Sequence, residues 1–164
     1  INKYKGYITS PKQLELISGA AEAIKKINRS GYLAIVITNQ PSIAMGRMSF
    51  AVLDEIHAKL DTLLGEEGAY IDALYFCPHH PDKGFEGERA ELKIKCDCRK
   101  PSGGMIKKLP KILTSTFQNH LWSVTQKGMS LPQSMRDAPR FSLQEATTRS
   151  AYRIPENTKN FQIL

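Results

Sequence analysis

All three cysteines of this 164-residue chain fall in one pattern: Cys77-Pro78-His79, a span of sixteen residues, then Cys96-Asp97-Cys98. In each cluster a single residue separates two metal donors, and the span between the clusters is long enough to fold back on itself. Three thiolates and one imidazole are the donor set of a closed, tetrahedral structural zinc site. The plainer readings are a disulfide or free buried thiols. An odd cysteine count, and a start without a signal-peptide pattern, weigh against a disulfide framework. On the metal reading Cys77, His79, Cys96 and Cys98 hold Zn2+ and fix a loop, and a closed site leaves no position at which water could be activated. His80 is then expected to point away from the centre as a loop histidine. His57 falls on the polar side of a helix and is expected to be solvated.

The flanking sequence reads as an α/β domain. Leu16, Ala20, Ala23, Ile24 and Ile27 recur at helical spacing, with Ser18 as the expected cap and Gly31 as the stop. Tyr32-Leu33-Ala34-Ile35-Val36-Ile37 is a continuous apolar run, as expected of a buried parallel strand, and it ends in the polar loop Thr38-Asn39-Gln40-Pro41. Ser49 precedes an amphipathic helix through Leu53, Ile56, Leu60 and Leu63-Leu64 that closes near Gly65 or Gly68. Residues 71–76 read as a second buried strand. Alternating helices and strands predict a parallel sheet with right-handed crossovers, whose ligands bind beyond the carboxyl ends of the strands. Thr38 and the Cys77 loop both fall there.

Charge narrows the partners. The net charge is +7, from 23 basic and 16 acidic residues. Residues 109–164 contribute seven basic and three acidic residues, a net +4, which leaves +3 for residues 1–108. A spread excess without a nucleic-acid motif points away from nucleic acid and towards small anions such as phosphorylated metabolites. No apolar run approaches the roughly 18 residues that span a bilayer, so no membrane partner is expected. Arg99, Lys100 and Pro101 directly follow the last cysteine, at the rim of the predicted sheet. A hydroxyl and a lysine at that edge can grip a phosphoryl group, although an Arg-Lys pair is often just solvated surface. Residues 109–164 hold Pro110, Pro132, Pro139 and Pro155 and no sustained periodicity, so a loosely ordered tail is expected beyond a core of residues 1–108.

Several segments together resemble the heptose-bisphosphate phosphatases of the haloacid dehalogenase (HAD) superfamily, near its histidinol-phosphatase branch. They are Gly6-Tyr7-Ile8, the helix Gly19–Ile24, Ile37-Thr38-Asn39-Gln40-Pro41, Cys77-Pro78-His79-His80-Pro81 and Cys96-Asp97-Cys98-Arg99-Lys100-Pro101. The resemblance implies a Rossmannoid three-layer fold, here incomplete, with a zinc-bound loop. It also implies removal of one phosphate from a sugar bisphosphate, such as heptose 1,7-bisphosphate, in lipopolysaccharide precursor synthesis. Thr38 would contact the transferred phosphoryl group, Asn39 and Gln40 would line the substrate loop, Arg99 would contact substrate, and Lys100 would neutralise phosphoryl charge. A monomer in the reducing cytoplasm is expected, with a small sugar phosphate as its partner.

Two departures from that family bear on activity. Its Asp-x-Asp-Gly-Thr motif, which supplies nucleophile and acid/base, would precede Ile1, and its first strand with it. Its Gly-Asp motif for Mg2+ has no counterpart as written in residues 109–164, where Asp137 has the wrong context. Taken one nucleotide out of register, Leu109–Val124 can encode Ala-Lys-Asp-Phe-Asn-Ile-Asp-Leu-Ser-Lys-Ser-Phe-Met-Val-Gly, and an Asp follows. The tail is therefore expected to be a frameshifted reading of a phosphatase C-terminus, and this copy to be impaired or inactive, a non-catalytic zinc-binding module being the alternative.

Overall fold

The computed structural model describes residues 1–30 and 32–107. Gly31, the expected helix stop, and the expected frameshifted tail lie outside the described residues. Helix α1 spans Ala20–Arg29, α2 spans Phe50–Glu66 and α3 spans Gly104–Lys107, and the strands are β1 (Ile35–Asn39) and β2 (Ala73–Cys77). The two strands pair in parallel, as the alternation of helix and strand predicts.

The described residues form two compact units, and the division falls at Val36/Ile37 and Leu74/Tyr75, inside both strands. The first unit holds residues 1–36 and 50–74. Its α2 buries Leu53, Ile56, Leu60 and Leu64 along one stripe, the i, i+3, i+7 spacing of a single helix face. The helix closes where the sequence suggests: the Ala69 amide donates to Leu64 O at 2.9 Å, and Gly68 takes φ +70°, the left-handed turn that glycine adopts without a Cβ penalty. Helix α1 begins later than expected. Its start is Gly19 at φ +79°, with no side-chain cap, so Ser18 does not cap it. Leu16 lies outside the helix, in an antiparallel bridge to Asn2.

Both strands are displaced from their apolar runs. Asp72 N donates to Ala34 O at 2.9 Å, and Gln40 N donates to Cys77 O at 2.7 Å. Pairing therefore extends past Ile37 and takes Thr38 and Asn39 into β1, where a loop was expected. At the other end the Asp72 carboxylate accepts the Ala34 amide at 2.7 Å, and Tyr32 and Leu33 fall outside the strand. The residues of β1 are all half-buried, and only Cys77 of β2 is fully buried, against the expectation of buried strands. Each strand is paired on one side only among the described residues, so its backbone and flanks stay partly accessible. His57, expected to be solvated, is half-buried on α2, and burial pushes its imidazole pKa down against the pull of Asp54 and Asp61.

The second unit, of the described residues, holds 37–49 and 75–107. Its core includes Ile43, Ala44, Met45 and Met48, all buried. The 41–48 segment is pinned to the long loop by Arg89 N donating to Ala44 O at 2.9 Å. Gly46, at φ +72°, lies so close to the Gly87 carbonyl that a Cβ would overlap it. Gly46→Ala is expected to cost at least about 2 kcal/mol, from the left-handed backbone and the overlap together. Thermal unfolding checks this, and a melting temperature equal to the parent's would contradict it.

Candidate metal centre and anion cleft

Cys77 closes β2, His79 follows two residues on, and Cys96 and Cys98 return after the long loop. The Cys77 and Cys98 sulfurs are 3.2 Å apart, Cys96 and Cys98 are 3.2 Å apart, and Cys77 and Cys96 are 3.5 Å apart. His79 Nδ1 lies 3.2 Å from Cys98 Sγ and 3.7 Å from Cys77 Sγ. All four donor atoms lie within 4.8 Å of one another. A tetrahedral ion with metal–donor bonds of about 2.0–2.3 Å sets its donors about 3.5–3.8 Å apart, so the four residues fit one ion with little rearrangement. All three cysteines are free, and three mutually close sulfurs cannot be accounted for by one disulfide.

Packing explains why the cluster forms here. Cys77, Cys98 and Met105 make a buried cluster, and Ile37, Tyr75 and Cys96 pack against it. Helix α3 is brought against the second cysteine pair by Gly104, whose amide donates to Asp97 O at 2.9 Å. A Cβ on Gly104 would stand 2.5 Å from that same oxygen, so only glycine permits the approach. Burial, reinforced by the neighbouring Cys98, pushes the Cys77 thiol up to about 12. Burial also opposes ionisation of Cys96, but hydrogen bonds from Cys98 and Cys77 bring its thiol below the ordinary value. Without a cation the cluster holds protons that a metal must displace.

His80 is excluded from the donor set, as the sequence suggests, but it is more than a loop histidine. It is buried, its Nδ1 accepts the Asp82 amide at 3.2 Å, and its ring stands edge-on to Phe85 at 5.5 Å.

The cations after Cys98 are anchored rather than loose. Asn39 grips the Lys100 backbone twice: its Oδ1 accepts Lys100 N at 3.0 Å and its Nδ2 donates to Lys100 O at 3.2 Å. The Lys100 ammonium donates to Ile37 O at 2.9 Å, beside Thr38, and burial lowers its pKa. Arg99 Nη1 donates to His79 O at 3.1 Å, tying the cation pair to the first donor cluster. Gln40 Nε2 donates to Thr38 Oγ1 at 3.3 Å. Arg99 and Lys100 line a cleft of about 290 Å³ together with Pro81, Ile94, Lys95, Cys96, Pro101 and Ser102. Among the described residues no carboxylate lines it. Thr38, Asn39 and Gln40 lie outside that lining, and Asn39 meets Lys100 from the β1 side. Lys95 and Ser102 were not singled out by the sequence, and their signal was only proximity to the cysteine motif.

The long loop holds a further group that the sequence did not reveal. The Lys93 side chain is wholly buried and meets Glu88 Oε2 at 3.5 Å and the Phe85 ring at 4.4 Å. Glu88 Oε2 also accepts the Gly84 and Phe85 amides at 2.9 and 3.0 Å. The Phe85 amide, with Lys93 alongside, holds the Glu88 carboxyl below its ordinary pKa.

A parallel α/β core with its functional loops at the carboxyl ends of the strands has its counterparts among HAD-like phosphatases, and the fold of this chain is HAD-like. A HAD-like phosphatase from Mesorhizobium loti superposes with a TM-score of 0.66 at 30% identity, covering 74% of this chain and 56% of that one. The D,D-heptose 1,7-bisphosphate phosphatase of B. bronchiseptica, solved with magnesium and phosphate, gives 0.61 at 27% identity, covering 73% and 62%. Over the matched residues the chain is similar in sequence to the D-glycero-beta-D-manno-heptose-1,7-bisphosphate 7-phosphatases. It is 35% identical over 106 residues to that of Salmonella typhi, covering 65% of this chain and 54% of the relative. To that of Haemophilus ducreyi it is 36% identical over 114 residues, covering 69% and 60%. The chain thus spans little more than half the length of the curated relatives it matches. No family model matches it.

Proposed function

We propose that these residues are the phosphate grip and metal loop of a phosphatase acting on a sugar bisphosphate of the heptose 1,7-bisphosphate kind, in the supply of lipopolysaccharide precursors. The supporting observation is the Asn39–Lys100 clamp, which sets a half-buried ammonium beside Thr38 at the end of β1. A fixed cation and a hydroxyl there can neutralise and orient a phosphoryl group as it is transferred. Asn39 and Gln40 shape the same corner, and Arg99 faces the cleft as a second contact. Cys77, His79, Cys96 and Cys98 would hold a structural Zn2+, whose role is to fix the loop that carries Arg99 and Lys100. The relative from B. bronchiseptica was solved with magnesium, and Mg2+ is the second ion expected of the reaction. Thiolate donors suit a reducing compartment, in keeping with a cytoplasmic protein. No helix among the described residues is long and apolar enough to cross a membrane. The partner on this reading is a small sugar phosphate taken up by a monomer.

The 164 residues contain no Asp-x-Asp pair, so this stretch is expected to bind a sugar bisphosphate while releasing phosphate at no more than background. Calorimetric titration and a phosphate-release assay with Mg2+ test the two halves. Binding that weakens about tenfold in Thr38→Ala supports the grip, since loss of one hydrogen bond to a charged group is worth about 1.5 kcal/mol or more. Mg2+-dependent release abolished by Thr38→Ala would contradict the expected lack of turnover. Metal uptake without any sugar-phosphate binding would instead favour a non-catalytic zinc module.

A further inference from the structure

The two donor clusters are separated by sixteen residues, and closing such a loop costs entropy that a metal would have to offset if nothing else did. The loop closes on its own contacts. His80 N donates to Leu92 O at 3.2 Å, joining the residue after His79 to one shortly before Cys96. Between these points Phe85 is held by the buried His80 ring on one side and by the Lys93 ammonium at 4.4 Å on another. Arg47 adds a second cation 5.8 Å from the same ring. Glu88 gathers the Gly84 and Phe85 amides and the Lys93 ammonium on one carboxylate oxygen.

A lysine whose side chain is 0% exposed has given up its hydration, and it stays in place only where charge partners repay that loss. Here the partners are one carboxylate and one aromatic face, both from the same loop. Resting on the metal-centre reading above, we propose that Lys93, with Phe85, Glu88 and His80, is a positioning clasp. It arranges the loop so that the two donor pairs face each other before the metal arrives, and it slows the metal's escape. Lys93 touches no donor atom and acts through the loop. Groups that orient ligands without binding the ion typically account for 10–100-fold in metal affinity.

The test uses the zinc-loaded chain and a colorimetric chelator in excess, with release followed in time. Lys93→Met keeps the length and apolar stem of the side chain while removing its charge, and the Glu88 carboxylate left behind keeps solvent access and the Gly84 and Phe85 amides as donors. Phe85→Leu removes the ring from the other side. Each is expected to release zinc at least about tenfold faster than the parent, while the melting temperature of the loaded form changes little. The double variant should be no faster than the faster single one, because the two residues act as one unit. Lys93→Arg, which keeps a cation over the ring, should restore most of the slow release. Parental release rates in both single variants overturn the clasp while leaving the metal centre standing. Release that accelerates only in step with global unfolding, followed by intrinsic fluorescence, also overturns it. A parent chain that takes up no zinc overturns the clasp and the metal centre together.

Discussion

Replacing Cys98 by serine is expected to empty the metal centre. Cys98 Sγ is the hub of the donor set, 3.2 Å from the Cys77 sulfur, the Cys96 sulfur and His79 Nδ1, and it is buried. Serine offers a hydroxyl that stays protonated at neutral pH, a poor ligand for a borderline-soft ion that takes its fourth bond from a thiolate. Bound zinc should fall from about one equivalent to a small fraction of one, with affinity lost by more than about a hundredfold. Because the donors are assembled only in the folded chain, binding free energy is also folding free energy. Several kcal/mol of stability should therefore go with the ion. Atomic absorption on the purified chain reads the first effect and thermal unfolding with and without chelator reads the second. A serine variant that keeps a full equivalent of zinc would refute the assignment. The same centre should weaken towards acid, since each donor must be deprotonated to bind. Burial raises the Cys77 thiol, so zinc uptake must release protons, and the apparent affinity falls as pH drops.

How much of this was legible in the sequence differs from residue to residue. The convergence of Cys77, His79, Cys96 and Cys98 was, because the spacing within each cluster is short enough for local geometry to bring both side chains to one point. Helix α2 was legible because Leu53, Ile56, Leu60 and Leu64 repeat the helix period, and burial of that face is what the structure shows. The strand limits were not. Apolar character ends at Ile37, but pairing is decided by backbone partners on the other strand, and the Gln40–Cys77 bond carries β1 two residues further. Ser18 has the chemistry of a cap, yet Gly19 supplies the turn into α1 through its backbone freedom. His57 looked solvated because a helical wheel shows polarity and not what packs over it. Asn39 was placed in a substrate loop by resemblance, and its two bonds to Lys100 across 61 residues are a tertiary fact. Lys93 was the least legible, since a lysine in a polar loop reads as surface until Phe85 and Glu88 are seen to enclose it.

Lys100→Met should abolish most of the anion affinity while leaving the fold intact. The ammonium is half-buried, donates to Ile37 O at 2.9 Å and has its pKa lowered by burial. It has thus lost part of its hydration before any ligand arrives, and a phosphoryl oxygen can replace that hydration. Charge-assisted hydrogen bonds contribute about 1.5–3 kcal/mol each, so removing this donor should weaken phosphate or sugar-bisphosphate binding by about 10–100-fold. Methionine keeps the unbranched stem and frees the site of the cost of holding a charge away from water, so the melting temperature should change little. Asn39→Ala has the opposite balance. It leaves the ammonium in place but removes both bonds that fix the Lys100 backbone, costing about 2 kcal/mol of stability. The sign of the pH effect separates the two. Binding to the parent needs the charged lysine, whose pKa lies below that of a free one, so affinity should fall on the alkaline side earlier than for an ordinary lysine. That fall should persist in Asn39→Ala and vanish in Lys100→Met, whose weak residual binding has no ammonium left to lose at this position. Calorimetric phosphate titrations across the alkaline range read all three chains. If Lys100→Met binds phosphate as tightly as the parent, the anion is held elsewhere and the grip at the end of β1 is not the site.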